Sequence, residues 1–496
     1  MSTNGASSDV VVIGAGPGGY AAAFLAADLG MGVTLIDPEP DPGGVCLFRG
    51  CIPSKALLHV AQLIGEARHA RDWGIEFTDP KIDLDRLRGW KERIVTKLTG
   101  GLGQLCRRRK IDYVQGLARF ADARTLEIDT VSGERRRLQF GHAIVATGSS
   151  PSSVPGFPVS SPRVLDSTSA LELRDIPGRL LVVGGGYIGL ELGSVYAALG
   201  SRVTVVEMTD SLLPGVDPDL VRPLHRKLER EFEAILLETR VAGVRERSRG
   251  LEVDLEGQDS GPNGKRFDQV LVAVGRRPGG RALGLEKTRV EIDEAGFIHV
   301  DAQLRTGEPA IFAIGDVVGQ PMLAHKASHE GRTAVEAVAG RKVAFEPAAI
   351  PAVVFTDPEV AWCGLTEQQA KQRGVEVVVS RFPWAASGRA LTLGLDDGVT
   401  KLVVDPATER VLGVGIAGSG AGELIAEGVL AVEMASVVSD LKMTIHPHPT
   451  LSETLMEAAE VFFGQSTHVY RPLRHPAPSK QAPRAKAESK EGPQAT

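Results

Sequence analysis

The apolar run Val10-Val-Val-Ile13 leads into Gly14-Ala-Gly16-Pro-Gly-Gly19, which is followed by an Ala/Leu-rich stretch over residues 21–29. A short β-branched run of this kind predicts a buried parallel strand, and the stretch after the glycines predicts a helix. A second strand from Gly32 to Asp37 completes the unit. The same arrangement returns as Arg179-Leu-Leu-Val-Val-Gly184-Gly-Gly186-Tyr-Ile-Gly189, a helix, and Ser201-Arg-Val-Thr-Val-Val-Glu207. In both copies the spacing from first glycine to terminal acid is identical. From residue 351 to 463 the texture changes to short strands, such as 399–404 and 411–416, with helices around them, which predicts a separate α+β domain. The expected class is therefore α/β, with two Rossmann-like dinucleotide-binding domains and a C-terminal α+β domain.

A glycine cluster alone predicts only a tight turn before a helix. The acid at the end of each following strand adds the chemistry of a dinucleotide site. The first glycine permits the turn, the second lets the backbone approach a pyrophosphate, and the third allows close helix–strand packing. The helix N-terminus then offers N–H groups and a positive dipole to the phosphates. Asp37 and Glu207 are placed to accept hydrogen bonds from ribose hydroxyls. Glu207 would repel a 2′-phosphate and no Arg follows it, so the second nucleotide is expected to be NAD rather than NADP.

Composition bounds the rest. At about 150 residues per domain, 496 residues suggest roughly three domains. A net charge of −6 excludes whole-chain electrostatic binding to nucleic acid or anionic lipid. Four cysteines cannot build a disulfide scaffold. The opening residues have no basic n-region and no apolar h-region. The apolar stretch 10–29 is interrupted by Gly14, Gly16, Gly18, Gly19 and Asp28, so no membrane span is expected and the cytoplasm is the expected compartment.

The sharpest chemical signal is Gly43-Gly-Val-Cys46-Leu-Phe-Arg-Gly-Cys51-Ile-Pro-Ser-Lys55, with a helix expected from about Pro53. Two buried cysteines, half of a metal site, or a redox disulfide beside a flavin would each fit. A metal site needs a second ligand pair, and Cys106 and Cys363 lie alone, so no metal is expected. A helix N-terminus stabilises a thiolate, which predicts a lowered pKa for Cys51.

Together with the two fingerprints, this segment resembles the pyridine nucleotide–disulfide oxidoreductases. Ala146-Thr147-Gly148, Gly275-Arg-Arg-Pro278, and Thr306 leading to Ala313-Ile-Gly315-Asp316 match further family motifs in order. His446-Pro-His448-Pro-Thr450-Leu-Ser-Glu453 resembles the branch that oxidises dihydrolipoamide with NAD. The resemblance implies that Gly14, Gly16, Gly19, Asp37, Ala146, Thr147, Gly148 and Asp316 hold FAD, with the helix from near Ala324 aimed at its ring. It implies that Gly184, Gly186, Gly189, Glu207 and Gly275 serve NAD. Cys51 is implied to face the flavin and Cys46 to exchange with substrate sulfur. Lys55 is implied to pair with Glu191 at the flavin edge, where its alternative reading is a solvated helix residue. His448 with Glu453 is implied to be an acid–base dyad that reaches the disulfide of a second subunit, with His446 in support. Thr450 and Glu453 also fit a capping box for a helix over 451–459.

The implied segments are a first FAD part (1–149), an NAD domain (150–277), a second FAD part (278–348), a dimerisation domain (349–470) and a basic Pro-rich tail (471–496). Implied partners are a second copy of the chain and a lipoyl domain, from a 2-oxoacid dehydrogenase E2 component or a glycine cleavage H protein. Phe48 and Arg49 depart from the family's usual spacer and are expected to alter access to the disulfide. Gly279 stands where Asn is usual, and Asp37 where Glu is commoner. An NADPH-linked disulfide reductase is the competing enzyme reading, and Glu207 argues against it. The tail is too polar to order itself, and is either inert or a handle for an acidic partner.

Overall fold

The computed structural model describes residues 6–470 except 159, 259, 260 and 262. The tail over 471–496 therefore lies outside the described residues. The first apolar run forms the strand Ala6–Ile13, which lies between Val33–Asp37 and Arg135–Val145 with all three parallel. Asp112–Asp122 extends this sheet beside Val33–Asp37, and Ile311–Ala313 closes it beside Arg135–Val145. Val10 to Ile13 and Val33 to Asp37 are buried throughout, as a parallel sheet covered on both faces requires. Thr125–Thr130 joins the same sheet antiparallel to its neighbours.

The second unit repeats the plan. Arg179–Val183 sits between Arg202–Val206 and Gln269–Val272 in a five-stranded parallel sheet. An antiparallel meander of Arg240–Arg247, Gly250–Glu256 and Lys265–Phe267 is attached to it. The chain passes between the two units through a short antiparallel pair, Ser149–Pro151 with Arg276–Pro278. The C-terminal unit is a five-stranded antiparallel sheet, with Val411–Gly418 between Glu359–Gly364 and Val399–Val404. Helices Ala421–Glu433 and Glu453–Phe462 lie against it, and Trp384 is completely buried in its core.

Two helix starts differ from the sequence expectation. The helix carrying Lys55 spans Cys51–His69, so Cys51 itself opens it. Pro53 is accommodated there because the first-turn N–H groups have no intrahelical partner. The helix expected over 451–459 is Glu453–Phe462. The Thr450 hydroxyl donates to Pro447 O rather than capping the first turn, so only half of the expected box forms.

Candidate active site

Both glycine turns are built alike. Gly14 and Gly184 have φ of 100° and 108°, and a Cβ there would lie 2.3 Å from Ala146 O and 2.5 Å from Ala273 O. At Gly19 and Gly189 a Cβ would meet the carbonyl of Gly14 at 1.8 Å and of Gly184 at 2.2 Å. Gly16 and Gly186 instead have open space around the missing Cβ, directly before helices Pro17–Asp28 and Tyr187–Ala198. In each unit the strand-end acid reaches back to the turn. Asp37 Oδ2 accepts from Ala15 N at 2.6 Å, and Glu207 Oε2 accepts from Gly185 N at 2.7 Å. Burial pushes the Asp37 carboxyl above its ordinary value.

A cavity of 550 Å³ runs from the first turn to the cysteines. Its walls include Gly14, Gly16, Asp37, Ala146, Thr147, Gly148 and Asp316, together with Cys46, Cys51, Lys55 and Glu191. Cys46 lies on the short helix Gly44–Arg49, and Gly50 joins this to the helix that Cys51 opens. A Cβ on Gly50 would lie 2.8 Å from Val45 O, so the two helices meet this closely only through glycine. Both cysteines are free thiols. Their hydrogen bond separates them: it lowers Cys51 to about 7, with help from Lys55 and against burial, and raises Cys46 far above the thiol range. This arrangement favours the thiolate at Cys51, with Cys46 donating to it.

Lys55 Nζ lies 2.8 Å from Glu191 Oε2, and Glu191 is buried. The other carboxylate oxygen, Oε1, accepts from Phe355 N at 2.9 Å. On the wall of the same cavity, Asp316 accepts from the Ser149 hydroxyl, to which Arg276 Nε donates at 2.7 Å. Helix Ala324–Val338 presents its N-terminus to the same cavity through Ala324 and Ala327.

His448 lies elsewhere. It sits on the C-terminal unit with its side chain 77% exposed and is not among the residues lining the cavity. Its Nδ1 is 2.9 Å from Glu453 Oε1, and Glu453 Oε2 accepts from Thr450 N at 2.8 Å. Burial works against the charge on Glu453, but these two partners outweigh it and hold the carboxyl below its ordinary value. The His446 side chain is largely covered, with Nε2 2.9 Å from Glu427 and Nδ1 3.0 Å from Thr444 O.

Two family models cover almost all of this architecture. Residues 8–331 match the pyridine nucleotide-disulphide oxidoreductase model, and 350–459 match that family's dimerisation domain. The chain belongs to the pyridine nucleotide-disulphide oxidoreductase family. Within it, the dihydrolipoyl dehydrogenase of Haemophilus influenzae is 50% identical over 93% of this chain and 96% of its own length. That of Thermus scotoductus is 47% identical over 93% and 98%. Among solved structures, LpdA from Mycobacterium tuberculosis superposes with a TM-score of 0.84 at 27% identity, over 92% of this chain and 99% of its own. The HOCl-induced flavoprotein disulfide reductase RclA from Escherichia coli gives 0.80 at 28% identity, over 90% and 98%.

As a member of this family the chain is an oxidoreductase that uses FAD and NAD, and its residues fit both. The open space at Gly16, the helix N-terminus beside it and the long cavity ending at Cys51 suit an extended dinucleotide. The second turn repeats the same cradle, with Glu207 at its edge. Gly275 (φ 121°) lies where the chain crosses back, its carbonyl accepting from Ser152 N. Gly279 N donates to Gly148 O at 2.8 Å, and a Cβ at 279 would lie 2.9 Å from Thr147 O. The backbone there packs too closely for the family's usual Asn without adjustment.

Arg49 was expected to alter access to the disulfide. It lines the same cavity as Cys46 and Cys51 and pairs there with Glu39. Three residues that were not among the expected site residues also join the site. Arg276 was visible as part of a motif, whereas Ser149 and Phe355 carried no sequence signal. No described helix is long and apolar enough to cross a membrane.

Proposed function

We propose that this chain oxidises dihydrolipoamide to lipoamide with NAD+, as a dihydrolipoyl dehydrogenase. The observation that carries this reading is the unequal Cys46/Cys51 pair in the cavity between two dinucleotide cradles, in a chain about half identical to enzymes of that name.

In the oxidised enzyme the two cysteines share a disulfide. A substrate thiolate attacks Cys46 Sγ, the S–S bond breaks, and Cys51 leaves as the thiolate its surroundings favour. His448 takes the proton of the attacking thiol, and Glu453 fixes the ring and balances its charge. The second substrate sulfur then attacks the first, closing lipoamide and releasing Cys46 with a proton. The substrate has lost two electrons and the cysteine pair has gained them. Bound FAD would supply the two-electron carrier between the reduced cysteine pair and NAD+. Asp37, Gly14 and Gly16 would hold its adenosine and pyrophosphate side, and Asp316, Lys55 and the helix at Ala324 its ring side. Gly184, Gly186, Gly189 and Glu207 would hold NAD.

The working form in this reading is a cytoplasmic homodimer. The family's dimerisation domain supports two-fold pairing, and the exposure of His448 away from its own cavity supports its use on the other subunit. The lipoyl group would arrive on a domain of a 2-oxoacid dehydrogenase E2 component or a glycine cleavage H protein. The test is NADH formation, followed by absorbance, from purified holoenzyme, dihydrolipoamide and NAD+, beside Cys46→Ser. Rapid turnover lost in Cys46→Ser supports the reading. Inactivity with this pair, together with reduction of oxidised glutathione by NADPH, would replace it.

A further inference from the structure

Three parts of the fold meet at one aromatic ring. Lys55 comes from the helix Cys51–His69, Glu191 from the second dinucleotide unit, and Phe355 from the loop after strand Ala352–Val354 of the C-terminal unit. The Lys55 ammonium stands 4.5 Å from the centroid of the Phe355 ring while its Nζ binds Glu191 Oε2 at 2.8 Å. The backbone N–H of the same Phe355 holds Glu191 Oε1 at 2.9 Å. Glu191 is thus fixed at both oxygens, and Lys55 is fixed between a carboxylate and a π face.

A lysine side chain that is 32% exposed has solvent as its alternative position. An ammonium over an aromatic face gains about 0.5–2 kcal/mol, enough to decide between the two. The geometry points to Phe355 as a positioning residue: its ring keeps the Lys55 charge beside Cys51, and its backbone keeps Glu191 from turning away. This rests on the reading of Cys51 as the reactive thiolate, and it adds a residue outside both the cysteine motif and the Lys55–Glu191 pair.

The groups that act on Cys51 are Cys46 on the preceding helix, Lys55 on its own helix, Glu191 and Tyr187 on helix Tyr187–Ala198, and Tyr20 on helix Pro17–Asp28. Burial raises both phenols, so they stay neutral where thiols titrate. Cys46 and Lys55 favour the thiolate, while Glu191 opposes it. Releasing Lys55 to solvent would leave Glu191 less balanced, and Cys51 would titrate higher.

The test is the pH dependence of iodoacetamide alkylation of Cys51 in the reduced holoenzyme, with the modified peptide identified by mass. Phe355→Leu removes the ring and keeps the backbone donor. Phe355→Met does the same with a longer, more adaptable side chain, in case the leucine variant folds poorly. Phe355→Tyr keeps the aromatic face. The expected result is a midpoint raised by about one pH unit in the Leu and Met variants, which is roughly a tenfold slower reaction below the midpoint, and a near-normal profile in Tyr. A Leu or Met variant that folds with an unchanged profile overturns the proposal. If wild-type Cys51 itself titrates like an ordinary thiol, the reading of the cysteine pair and this proposal fall together. A packing role alone would lower thermal stability and leave the profile where it was.

Discussion

Glu207 Oε2 accepts a hydrogen bond from the Gly185 N–H at 2.7 Å, so the acid that would face a ribose also fastens the glycine turn that would face its phosphates. Its other oxygen accepts from Thr209 N and Oγ1, which aims the carboxylate outward from the strand end. Met208, which follows it, is 73% exposed and offers no positive charge. A 2′-phosphate brought here meets a fixed anion that Met208 does not offset, a clash worth several kcal/mol. Turnover with NADP+ is therefore expected to fall below that with NAD+ by about a hundredfold or more in kcat/KM. Glu207→Ala with Met208→Arg should narrow the ratio. Because the alanine also frees the Gly185 turn, activity with NAD+ should drop in the same variant. Steady-state kinetics with both nucleotides checks both statements.

The unequal thiols give a second expectation. Cys51 sits at about 7 first because Cys46 donates to it, and the charge of Lys55 adds to that. A hydroxyl can also donate, so Cys46→Ser should leave the Cys51 midpoint close to that of wild type. Cys46→Ala removes the donor and should raise the midpoint by about one unit or more. Thiolate absorbance in the ultraviolet, followed through a pH titration of the two reduced variants, reads this directly. Equal midpoints in Ser and Ala would mean that the thiol–thiol hydrogen bond has no such effect.

Much of this site is legible in the chain because its constraints are local. Gly14 and Gly19 are glycines for want of space, and Gly16 stands beside open space, so the spacing itself records the turn. The cysteine motif is legible for the same reason: Gly50, the spacer and Cys51 are a few residues apart. The sequence is silent where a contact is made across the fold. Nothing about an isolated phenylalanine at 355 distinguishes a core residue from one that holds Lys55 and Glu191 together. Arg49 is a related case: its place beside the cysteines can be read from the chain, whereas its pairing with Glu39, ten residues earlier, cannot. The half-formed box at Thr450 shows the same limit, since one hydroxyl had several acceptors within reach and Pro447 O captured it.

A buried ionic cluster outside the site sets a stability expectation. Asp217, Asp219 and Glu367 converge as a metal site would, but the Lys401 ammonium occupies their centre at 2.7, 2.7 and 2.6 Å. The cluster ties the start of helix Pro218–Glu231 to the C-terminal unit. Lys401→Met would leave the buried Asp217 carboxylate without its counter-ion, while Arg381 still pairs with Asp219 and Glu367, and is expected to cost about 3 kcal/mol at neutral pH, measured by chemical denaturation. Burial raises the Asp219 carboxyl, but Lys401 and Arg381 outweigh it and hold the group below its ordinary value. A depressed carboxyl stabilises the fold above its unfolded pKa, near 4, and that stabilisation is lost as pH falls through the folded value. In Lys401→Met the carboxylates would take up protons at higher pH, which relieves the unpaired charge. The gap between variant and wild type should therefore be smaller at about pH 4.5 than at pH 7. A gap that widens on acidification would contradict the assignment of Lys401 as the counter-ion.

The distance of His448 from its own cavity yields the most discriminating expectation. In the proposed mechanism His448 is the base, so His448→Gln should lower kcat by about 10²–10⁴-fold, the usual range for a general base. Glu453→Gln should cost less, since the ring remains and only its orientation and charge balance suffer. Neither result says which cysteine pair the base serves. Co-expressing Cys46→Ser and His448→Gln chains under two different affinity tags, then purifying doubly tagged dimers, does. If His448 serves the disulfide of the other subunit, each mixed dimer holds one complete site, built from Cys46 and Cys51 of the His448→Gln chain and His448 of the Cys46→Ser chain. Such dimers should recover roughly half of wild-type activity per dimer, because a two-fold arrangement has two equivalent sites and one is intact. If the base serves its own chain, every site in the mixed dimer lacks one group and activity stays at the level of the single variants. The exposure of His448, its pairing with Glu453 and its absence from the cavity wall all favour recovery.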